Sequence, residues 1–263
     1  MQLTLELLGT GTSDGVPLIG CECEVCKSVN PKNKRLRTSA WLNNDDISIL
    51  IDCGPDFRQQ SLRSGIKYFD AILLTHTHWD HIAGIDDLRP LSKSTKRKQD
   101  KPREVYVKEE LVGHLVRPFN YIFNGDYKIG GGIPSLKIMP VNGYDLFNVK
   151  GVPIQPLKVH HGSLEILGYK IGDTAYITDA SLLEENVIES IVGVKYLIIN
   201  ALRYYPHSTH YNVEEVVAVI ERIKPQNAYL VHTTHNIEID DLNSKLPDNV
   251  QVAYDGLKIL VSI

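Results

Sequence analysis

Short apolar runs separated by turn-forming residues fill the first half of the sequence. "LTLELLG" alternates apolar and polar positions, and "ISILIDCG" is a β-branched run that follows the turn-like "NNDD". "FDAILLT" is an apolar run that ends at a group of histidines, and "REVYVK" follows a polar loop. Alternation and short β-branched runs are typical of strands, so each of these stretches, apart from the turn, predicts a strand.

The second half of the sequence has a similar pattern. "VPIQPLKVHHG" predicts a strand that ends at two histidines, and "LGYKIGDTAYITDAS" predicts a hairpin that turns at Gly172 and Asp173. "VKYLIINAL" and "NAYLVHTTH" predict buried strands. The final stretch, "VAYDGLKILVS", predicts a hairpin over its Asp-Gly pair.

Other stretches carry helical patterns or loop composition. "NVEEVVAVIERI" predicts an amphipathic helix with Asn212 as its N-cap. The further predicted helices are "FRQQSLRSGI", "EELVGHLVRPFNYIF" stopped near Pro118, and "EENVIESIVG". The polar, basic, proline-containing run from Ser92 to Arg103 predicts a loop.

The strands come in clusters, and each half finishes with helix–strand units. This order favours an α/β fold in the form of an αβ/βα four-layer sandwich, with two mixed β-sheets flanked by helices. No Gly/Ser-rich linker divides the chain. We therefore predict a single domain over residues 1–263.

Composition and charge narrow the classes of function. With 263 residues, 43% hydrophobic and 23% charged, the chain has ample apolar material for a core. A net charge of −4 and a pI near 6.2 argue against a surface built as a whole for nucleic acid, although a local basic groove such as 92–103 would be compatible. The N-terminus does not have the pattern of a signal peptide, and no apolar run approaches the roughly 18 residues of a membrane span. We expect a cytoplasmic protein with no membrane partner.

The densest chemical signal is "THTHWDH", directly after a predicted strand. His76 and His78 are two residues apart in extended backbone, so their side chains point to one side and can share a metal ion. Asp80 and His81 lie where the chain turns into a helix, with Gly84 allowing close approach, and are directed toward a second ion. Imidazole and carboxylate together suit zinc, manganese or iron.

"THTHWDH" resembles the HxHxDH signature of the metallo-β-lactamase superfamily. The resemblance implies an αβ/βα sandwich with each later ligand at a strand end, in "KVHHG", "YITDAS" and "YLVHTTH". It implies one ion bound by His76, His78 and His161 and another bound by Asp80, His81 and His232. Asp179 would bridge the two ions and leave room for a shared water. His161 is preferred over His160, because it lies nearer the turn and precedes Gly162.

The stretch "CECEVC" places three cysteines, Cys21, Cys23 and Cys26, within reach of one ion, which in a reducing compartment indicates metal ligation before disulfides. The alternative is three buried thiols in a loop. A structural zinc needs a fourth ligand, and His235 is free if His232 serves the catalytic pair. The opening "LLGTGTSDGVPLIGCECEVC" resembles the family of phosphoribosyl cyclic phosphodiesterases of phosphonate utilisation, which pair the cysteines with a late histidine.

The resemblance also implies a reaction. Two ions activate a bridging hydroxide, and an alkoxide leaving group benefits from a proton donor. Motif alignment in "HSTHYN" gives that role to His210. We expect His210 and Asp80 to be catalytic, and the alternative is that His207 and His210 are surface residues of their loop.

The leading hypothesis is therefore a dinuclear metal-dependent phosphodiesterase that uses two divalent ions (Mn or Zn) and one structural Zn. Its partners would be small cyclic or nucleotide-like phosphodiesters. Alternatives are a tRNA 3′-processing endonuclease, which would bind nucleic acid, and a non-hydrolytic accessory protein of pyrroloquinoline quinone biosynthesis. Dimerisation is common among these relatives, so a homodimer is an expectation from the resemblance alone.

Overall fold

The computed structural model describes residues 1–92, 101–124 and 132–263. Its strands are β1 Gln2–Gly9, β2 Ser39–Asn43, β3 Ser48–Ile51, β4 Ala71–Leu73, β5 Arg103–Lys108, β6 Leu136–Val141, β7 Phe147–Val149, β8 Val152–His161, β9 Leu164–Ile171, β10 Thr174–Tyr176, β11 Tyr196–Asn200, β12 Asn227–Val231, β13 Val250–Val252 and β14 Lys258–Ser262. Its α-helices are α1 Glu24–Lys27, α2 Phe57–Ser64, α3 Trp79–Ile82, α4 Arg89–Ser92, α5 Val112–Val116, α6 Asn120–Phe123, α7 Glu185–Ser190, α8 Val213–Ile223 and α9 Ile239–Asn243. Short 3₁₀ turns cover Pro31–Asn33, Ala83–Leu88 and Glu109–Leu111.

The described strands form two seven-stranded mixed sheets. The first has the order β14-β1-β2-β3-β4-β5-β6, antiparallel from β14 to β3 and parallel from β3 to β6. The second has the order β13-β12-β11-β10-β9-β8-β7, parallel from β13 to β10 and antiparallel from β10 to β7. Each sheet thus joins an antiparallel half to a parallel half, and parallel strands need helical connections across a face.

Three apolar clusters separate four layers. One lies between the sheets and includes Leu5 of β1 and Ile198 of β11. A second, with Phe57 of α2, lies outside the first sheet, and a third, with Ile199 of β11 and Ile220 of α8, lies outside the second. Neighbouring residues of one strand, such as Ile198 and Ile199, face different clusters because side chains alternate across a sheet. The predicted four-layer αβ/βα sandwich is confirmed.

Helix α8 shows how local sequence defines an element next to the site. Asn212 caps it: the side-chain oxygen accepts from the Glu215 backbone N–H at 2.9 Å, and the Glu215 carboxylate accepts from the Asn212 N–H at 2.9 Å. The buried residues of α8 are Val216, Val219, Ile220 and Ile223. This spacing puts them on one helical face, which packs against the second sheet.

The predicted C-terminal hairpin is wrong. β13 pairs with β12 in the second sheet and β14 pairs with β1 in the first, so the Asp-Gly pair connects two sheets. Long-range hydrogen bonds stabilise the connection from β13 to β14. The Asp255 carboxylate accepts from Thr10 Oγ1 at 2.9 Å and from the Leu36 N–H at 2.8 Å. A turn dipeptide reports a change of direction but not the partner of the strand that follows it.

Two other expectations differ in detail. The long helix predicted before Pro118 is a 3₁₀ turn followed by α5, and the chain resumes as α6 after the proline, which cannot donate a helical hydrogen bond. Of the predicted loop from Ser92 to Arg103, residues 93–100 lie outside the described residues. Ser92 ends α4 and Arg103 begins β5.

No helix within residues 1–92, 101–124 and 132–263 combines the length and the apolar character that crossing a bilayer requires. The single domain over residues 1–263 stays a prediction.

The Asn212 cap gives a test of the fold next to the site. Asn212→Ala should lower the free energy of unfolding by about 1 kcal/mol, because it leaves a helix N–H without its acceptor. Asn212→Ser, which can still cap, should stay close to the parent protein. Urea unfolding followed by circular dichroism measures both, and equal loss in the two variants would contradict the role of the cap.

Candidate metal centres

The histidines and aspartates singled out in the sequence lie where strands end, on one edge of the sandwich. His161 is the last residue of β8, and His232 directly follows β12. Asp179 follows β10 by three residues. Asp179 and His232 have left-handed backbone, with φ of 58° and 56°. Residues other than glycine adopt this conformation at a cost, and such strain concentrates at functional sites.

A first group consists of three imidazoles. His76, His78 and His161 each offer a nitrogen, and these atoms lie within 4.8 Å of one another. The ring centroids of His76 and His78 are 4.5 Å apart, and those of His78 and His161 are 5.0 Å apart. His76 and His161 are buried, whereas His78 is exposed. This geometry allows the three side chains to bind one ion.

A second group adds two carboxylates. Asp80, His81, Asp179 and His232 offer ligand atoms within 4.8 Å of one another. His81 Nε2 lies 3.2 Å from Asp80 Oδ2 and 3.4 Å from Asp179 Oδ2. His232 Nε2 lies 3.2 Å from Asp179 Oδ1 and 3.7 Å from Asp80 Oδ2. Asp179 therefore has one carboxylate oxygen toward each imidazole of this group.

Asp52 supports this group and was not identified from the sequence. His81 Nδ1 donates to Asp52 Oδ2 at 2.8 Å, which leaves Nε2 of the ring to face Asp80 and Asp179. Thr75 fixes the carboxylate with two bonds of 2.8 Å, one from its backbone N–H and one from its hydroxyl. A second carboxylate that orients a ligand histidine is a common feature of metal sites. The sequence signal was an aspartate at the end of "ISILID", which by itself does not specify a partner.

Two glycines let the turn carrying Asp80 pack closely. A Cβ at Gly54 would lie 2.0 Å from the Asp80 carbonyl oxygen, and one at Gly84 would lie 2.1 Å from the Gly54 carbonyl oxygen. Any larger residue at either position would therefore push this turn away from the loop that follows β3. The close approach expected at Gly84 is thus an approach of backbone to backbone.

The electrostatics of the cluster follow from burial and opposite charges. Burial would lower the pKa of His81, but the surrounding carboxylates, Asp179 first, raise it well above its usual value. Burial would likewise raise the pKa of Asp179, yet His232 and His81 hold it well below its usual range. Burial lowers the pKa of His76 well below its usual value, which leaves the ring neutral, the form that binds metals.

The structure separates His161 from His160. His161 Nδ1 donates to the Thr209 carbonyl oxygen at 2.8 Å, so its other nitrogen faces the cluster. His160 instead has its Nε2 2.9 Å from a Glu184 carboxylate oxygen, away from the other histidines. Gly162 has φ of 61°, and a Cβ there would lie 2.8 Å from Thr209 Cγ2. The chain after His161 is therefore in tight contact with the loop that contains His210.

His210 lies at the boundary between this cluster and a cavity. Its Nε2 is 3.1 Å from Asp179 Oδ1, and its Nδ1 is 2.9 Å from Thr209 Oγ1. Burial lowers the pKa of His210 to about 4, although Asp179 opposes the shift. The cavity measures about 300 Å³ and is lined by Thr12, Ser13, Asp14, Leu18, Leu202, Arg203, Tyr205, His207, His210, Thr234, His235 and Asn236.

The cysteines form a separate group with His235, which lines the same cavity. Cys21, Cys23, Cys26 and His235 offer ligand atoms within 4.8 Å of one another. His235 Nδ1 lies 3.3 Å from Cys21 Sγ and 3.4 Å from Cys23 Sγ. The backbone N–H of Cys26, and then His235, lower the pKa of the Cys23 thiol to about 6, whereas burial raises that of Cys26 to about 11. Three sulfurs and one nitrogen are a ligand set of tetrahedral structural zinc.

The residues at the histidine–aspartate cluster fit divalent ions. His76 Nε2 is buried and has no hydrogen-bond partner among the described residues, an arrangement that is rare for a buried polar atom. Imidazole nitrogens and carboxylate oxygens are ligands of zinc and manganese. His/Asp clusters of this kind, in this fold, bind divalent metal ions.

Comparison with known proteins agrees with this geometry. A family described as beta-lactamase superfamily domain matches residues 48–233. The chain is similar to a solved diphosphatase from the PhnP family, with 38% identity, a TM-score of 0.91, and coverage of 99% of this chain and 97% of that one. A Zn²⁺-bound PqqB from Methylobacterium extorquens, at 19% identity and a TM-score of 0.73 over 97% of this chain and 99% of that one, shares the fold.

A curated relative is longer than this chain. An octanoyltransferase from Porphyromonas gingivalis (strain ATCC BAA-308 / W83) is 38% identical over 259 residues, 97% of this chain. The chain spans about half of that protein, 51% of its length. Its transferase name therefore describes a protein about twice as long.

The support that Asp52 gives to His81 can be tested. Asp52→Asn keeps the shape of the side chain but removes the charge that faces the imidazole, so affinity for the bound divalent ions should fall by about 10- to 100-fold. Competition with a metal chelator measures the loss. Asp56→Asn is the matched control, because Asp56 pairs with Arg37 away from the cluster. Equal affinities of Asp52→Asn and the parent protein would contradict this role.

Proposed function

The chain belongs to the beta-lactamase superfamily and is a metal-dependent hydrolase, and on that premise we propose that it hydrolyses small cyclic or nucleotide-like phosphodiesters. The observation that carries the proposal is the position of His210, which touches Asp179 on one side and lines a cavity on the other. A proton donor at that place suits a substrate whose leaving oxygen needs a proton. Similarity to the PhnP-family diphosphatase supports cleavage at phosphorus.

Two divalent ions, manganese or zinc, would be held by the residues of the two groups. His76, His78 and His161 would bind one ion. Asp80, His81 and His232 would bind the other, and Asp179 would contact both. When bound, such a pair lowers the pKa of a shared water and neutralises the charge of a phosphodiester.

The residues of the chain bind and orient the substrate. The cavity of about 300 Å³ lies at the lower end of the range for small-molecule sites. Arg203 provides a positive charge in its wall, held by bonds to the carbonyl oxygens of Tyr205 at 3.2 Å and Pro206 at 2.9 Å. A small anionic ester fits this volume and this charge better than a long polymer does.

His210 would deliver the proton. Its Nε2 faces the Asp179 end of the cluster, and its Nδ1 is held by Thr209 and lies 3.2 Å from His207 Nδ1. As the oxygen of the attacking water bonds to phosphorus and the bond from phosphorus to the leaving oxygen breaks, the proton on Nε2 moves to the leaving oxygen, which becomes a hydroxyl. In a cyclic ester this hydroxyl stays attached to the product, and in an open ester it departs as an alcohol. The negative phosphodiester supplies the charge that favours the protonated imidazole, which burial otherwise disfavours.

Cys21, Cys23, Cys26 and His235 would hold one structural zinc. The site has four ligands and so leaves no open position for a substrate, the arrangement of a structural ion. Because His235 follows His232 by three residues, an ion here would stabilise the loop that carries a catalytic ligand. The cytoplasmic location and the homodimer stay predictions.

Precursor tRNA is the substrate that distinguishes the proposed phosphodiesterase from its main alternative, a tRNA 3′-processing endonuclease. Ribonuclease Z from Bradyrhizobium diazoefficiens is 55% identical to this chain, but over only 42 residues, 15% of the chain. A panel of five-membered cyclic ribose phosphates, 2′,3′-cyclic nucleotides and precursor tRNA should show turnover of the small esters. Turnover of precursor tRNA alone would contradict the proposal.

Removing the proton donor should slow the chemical step. His210→Ala should lower kcat by about 10²- to 10⁴-fold on the best phosphodiester of the panel, with metal content retained. His160→Ala is the matched control, because His160 contacts Glu184 outside the cluster and should keep the parent rate. Steady-state kinetics with added manganese measure both. A His210→Ala variant as fast as the parent would rule out this donor.

Asp80→Ala should abolish hydrolysis of bis(p-nitrophenyl) phosphate, because it removes a ligand from the second group.

Elemental analysis should find two metal ions in the cluster and one structural zinc in the parent protein. Asp80→Ala should lose metal from the cluster but keep the structural zinc, and Cys23→Ser should show the reverse. Parent protein that binds only the structural zinc would support a non-hydrolytic role instead.

A further inference from the structure

Arg35 is a buried arginine that takes no part in the proposed hydrolysis. It lies shortly before β2, where its backbone pairs with Val16 through two hydrogen bonds of 2.8 Å. Only 1% of its surface is exposed. A buried guanidinium is unfavourable unless hydrogen bonds and opposite charges compensate it, so its surroundings should show what it serves.

The hydrogen bonds of the guanidinium go to a single loop. Arg35 Nη2 donates to the carbonyl oxygen of Thr234 at 3.1 Å and to that of Ile237 at 2.9 Å. These two carbonyls lie on either side of His235, the nitrogen ligand of the cysteine group. Nε and Nη1 have no hydrogen-bond partner in the part of the chain that the structure describes. The contacts of this side chain therefore fix the backbone that presents His235.

Negative groups surround the same guanidinium. Burial lowers the pKa of Arg35 to about 10, and the charges of Asp255, Glu238 and Cys26 oppose that shift. Cys26 is a ligand of the proposed zinc. Three thiolates around a divalent ion leave one net negative charge. Cys26 is the buried ligand of the four, so a cation near its sulfur would stabilise that charge.

The loop held by Arg35 also connects the cysteine group to the histidine–aspartate cluster. Thr233, next to His232, donates its N–H to the Thr10 carbonyl oxygen at 3.2 Å and accepts from the Thr12 N–H at 3.2 Å. Thr10 and Thr12, just after β1, thus hold the start of the segment 232–237, and Arg35 holds the rest through Thr234 and Ile237. Both His232 and His235 depend on the position of this short segment.

We propose that Arg35 is the positioning residue of the cysteine site, fixing the loop that carries His235 and supplying the positive charge that offsets the thiolates. The inference rests on the structural zinc proposed above. Arg35 does not bind the zinc itself, but it would strengthen the binding of zinc by the cysteine site. A residue with a general role in packing would alter stability without a specific effect on this site.

Cobalt provides a probe that distinguishes the two kinds of site. Co²⁺ bound by thiolates gives an intense near-ultraviolet sulfur-to-metal charge-transfer band, which imidazole and carboxylate ligands do not give. Titration of the metal-free protein, residues 1–263, with Co²⁺ against a competing chelator therefore measures the affinity of the cysteine site alone. Arg35→Met, which keeps length but removes charge and donors, should weaken this affinity by about 10- to 100-fold.

Two further variants separate charge from bulk. Arg35→Lys restores the charge but cannot reach both carbonyls with a planar fork, so its cobalt affinity should lie between those of Arg35→Met and the parent. Arg37→Met is the matched control, because Arg37 pairs with Asp56 and donates to the Ser13 carbonyl oxygen, and should bind like the parent. Circular dichroism establishes that each compared variant is folded.

The outcomes are distinct. Folded Arg35→Met with parental cobalt affinity overturns the inference. If Arg35→Met does not fold, Arg35→Lys decides: weaker binding supports the inference, and parental binding overturns it. A parent protein that shows no charge-transfer band contradicts the cysteine site itself, and with it the inference, while turnover of phosphodiesters by the same protein would leave the proposed reaction standing.

Discussion

Asp179 is the buried carboxylate on which the centre of this molecule depends. It is only 2% exposed, and its two oxygens lie within 3.4 Å of nitrogens of His81, His210 and His232. Burying a carboxylate and several imidazoles together is unfavourable unless each has an opposite charge or a metal to bind. The two sheets bring these groups together from different strand ends, and divalent ions supply the positive charge that the cluster requires.

The surrounding structure serves to hold that arrangement. The Asp52 carboxylate and the Thr209 carbonyl oxygen accept hydrogen bonds from Nδ1 of His81 and of His161, which fixes the orientation of each ring. Gly54 and Gly84 allow the turn with Asp80 to lie against the backbone of the loop that follows β3. Left-handed backbone at three residues, Asp52 included, is strain that the fold tolerates at these positions. The cavity is lined both by His210, which contacts Asp179, and by His235, which contacts Cys21 and Cys23.

Local patterns predicted the fold class and the first candidate ligands, whereas His161, Asp179 and His232 were candidates only through the resemblance to a known family. Strand-end histidines in "THTHWDH" and the close spacing of "CECEVC" are visible without tertiary information. The partner of His81, Asp52, lies 29 residues away and is set by the pairing of β3 with β4, which a single sequence does not specify. The same limitation explains why the Asp-Gly pair before β14 predicts a hairpin that the structure does not contain, and why the sequence gives no signal for Arg35.

We propose that this cluster holds two ions with Asp179 between them. Anomalous diffraction from crystals grown with manganese or zinc tests it most directly. We expect two peaks about 3.5–4 Å apart, both in contact with Asp179. A map without two peaks at this position would contradict the two-ion centre. A structure in which Asp179 and His232 turn away from the imidazoles of His76 and His78 would also contradict it.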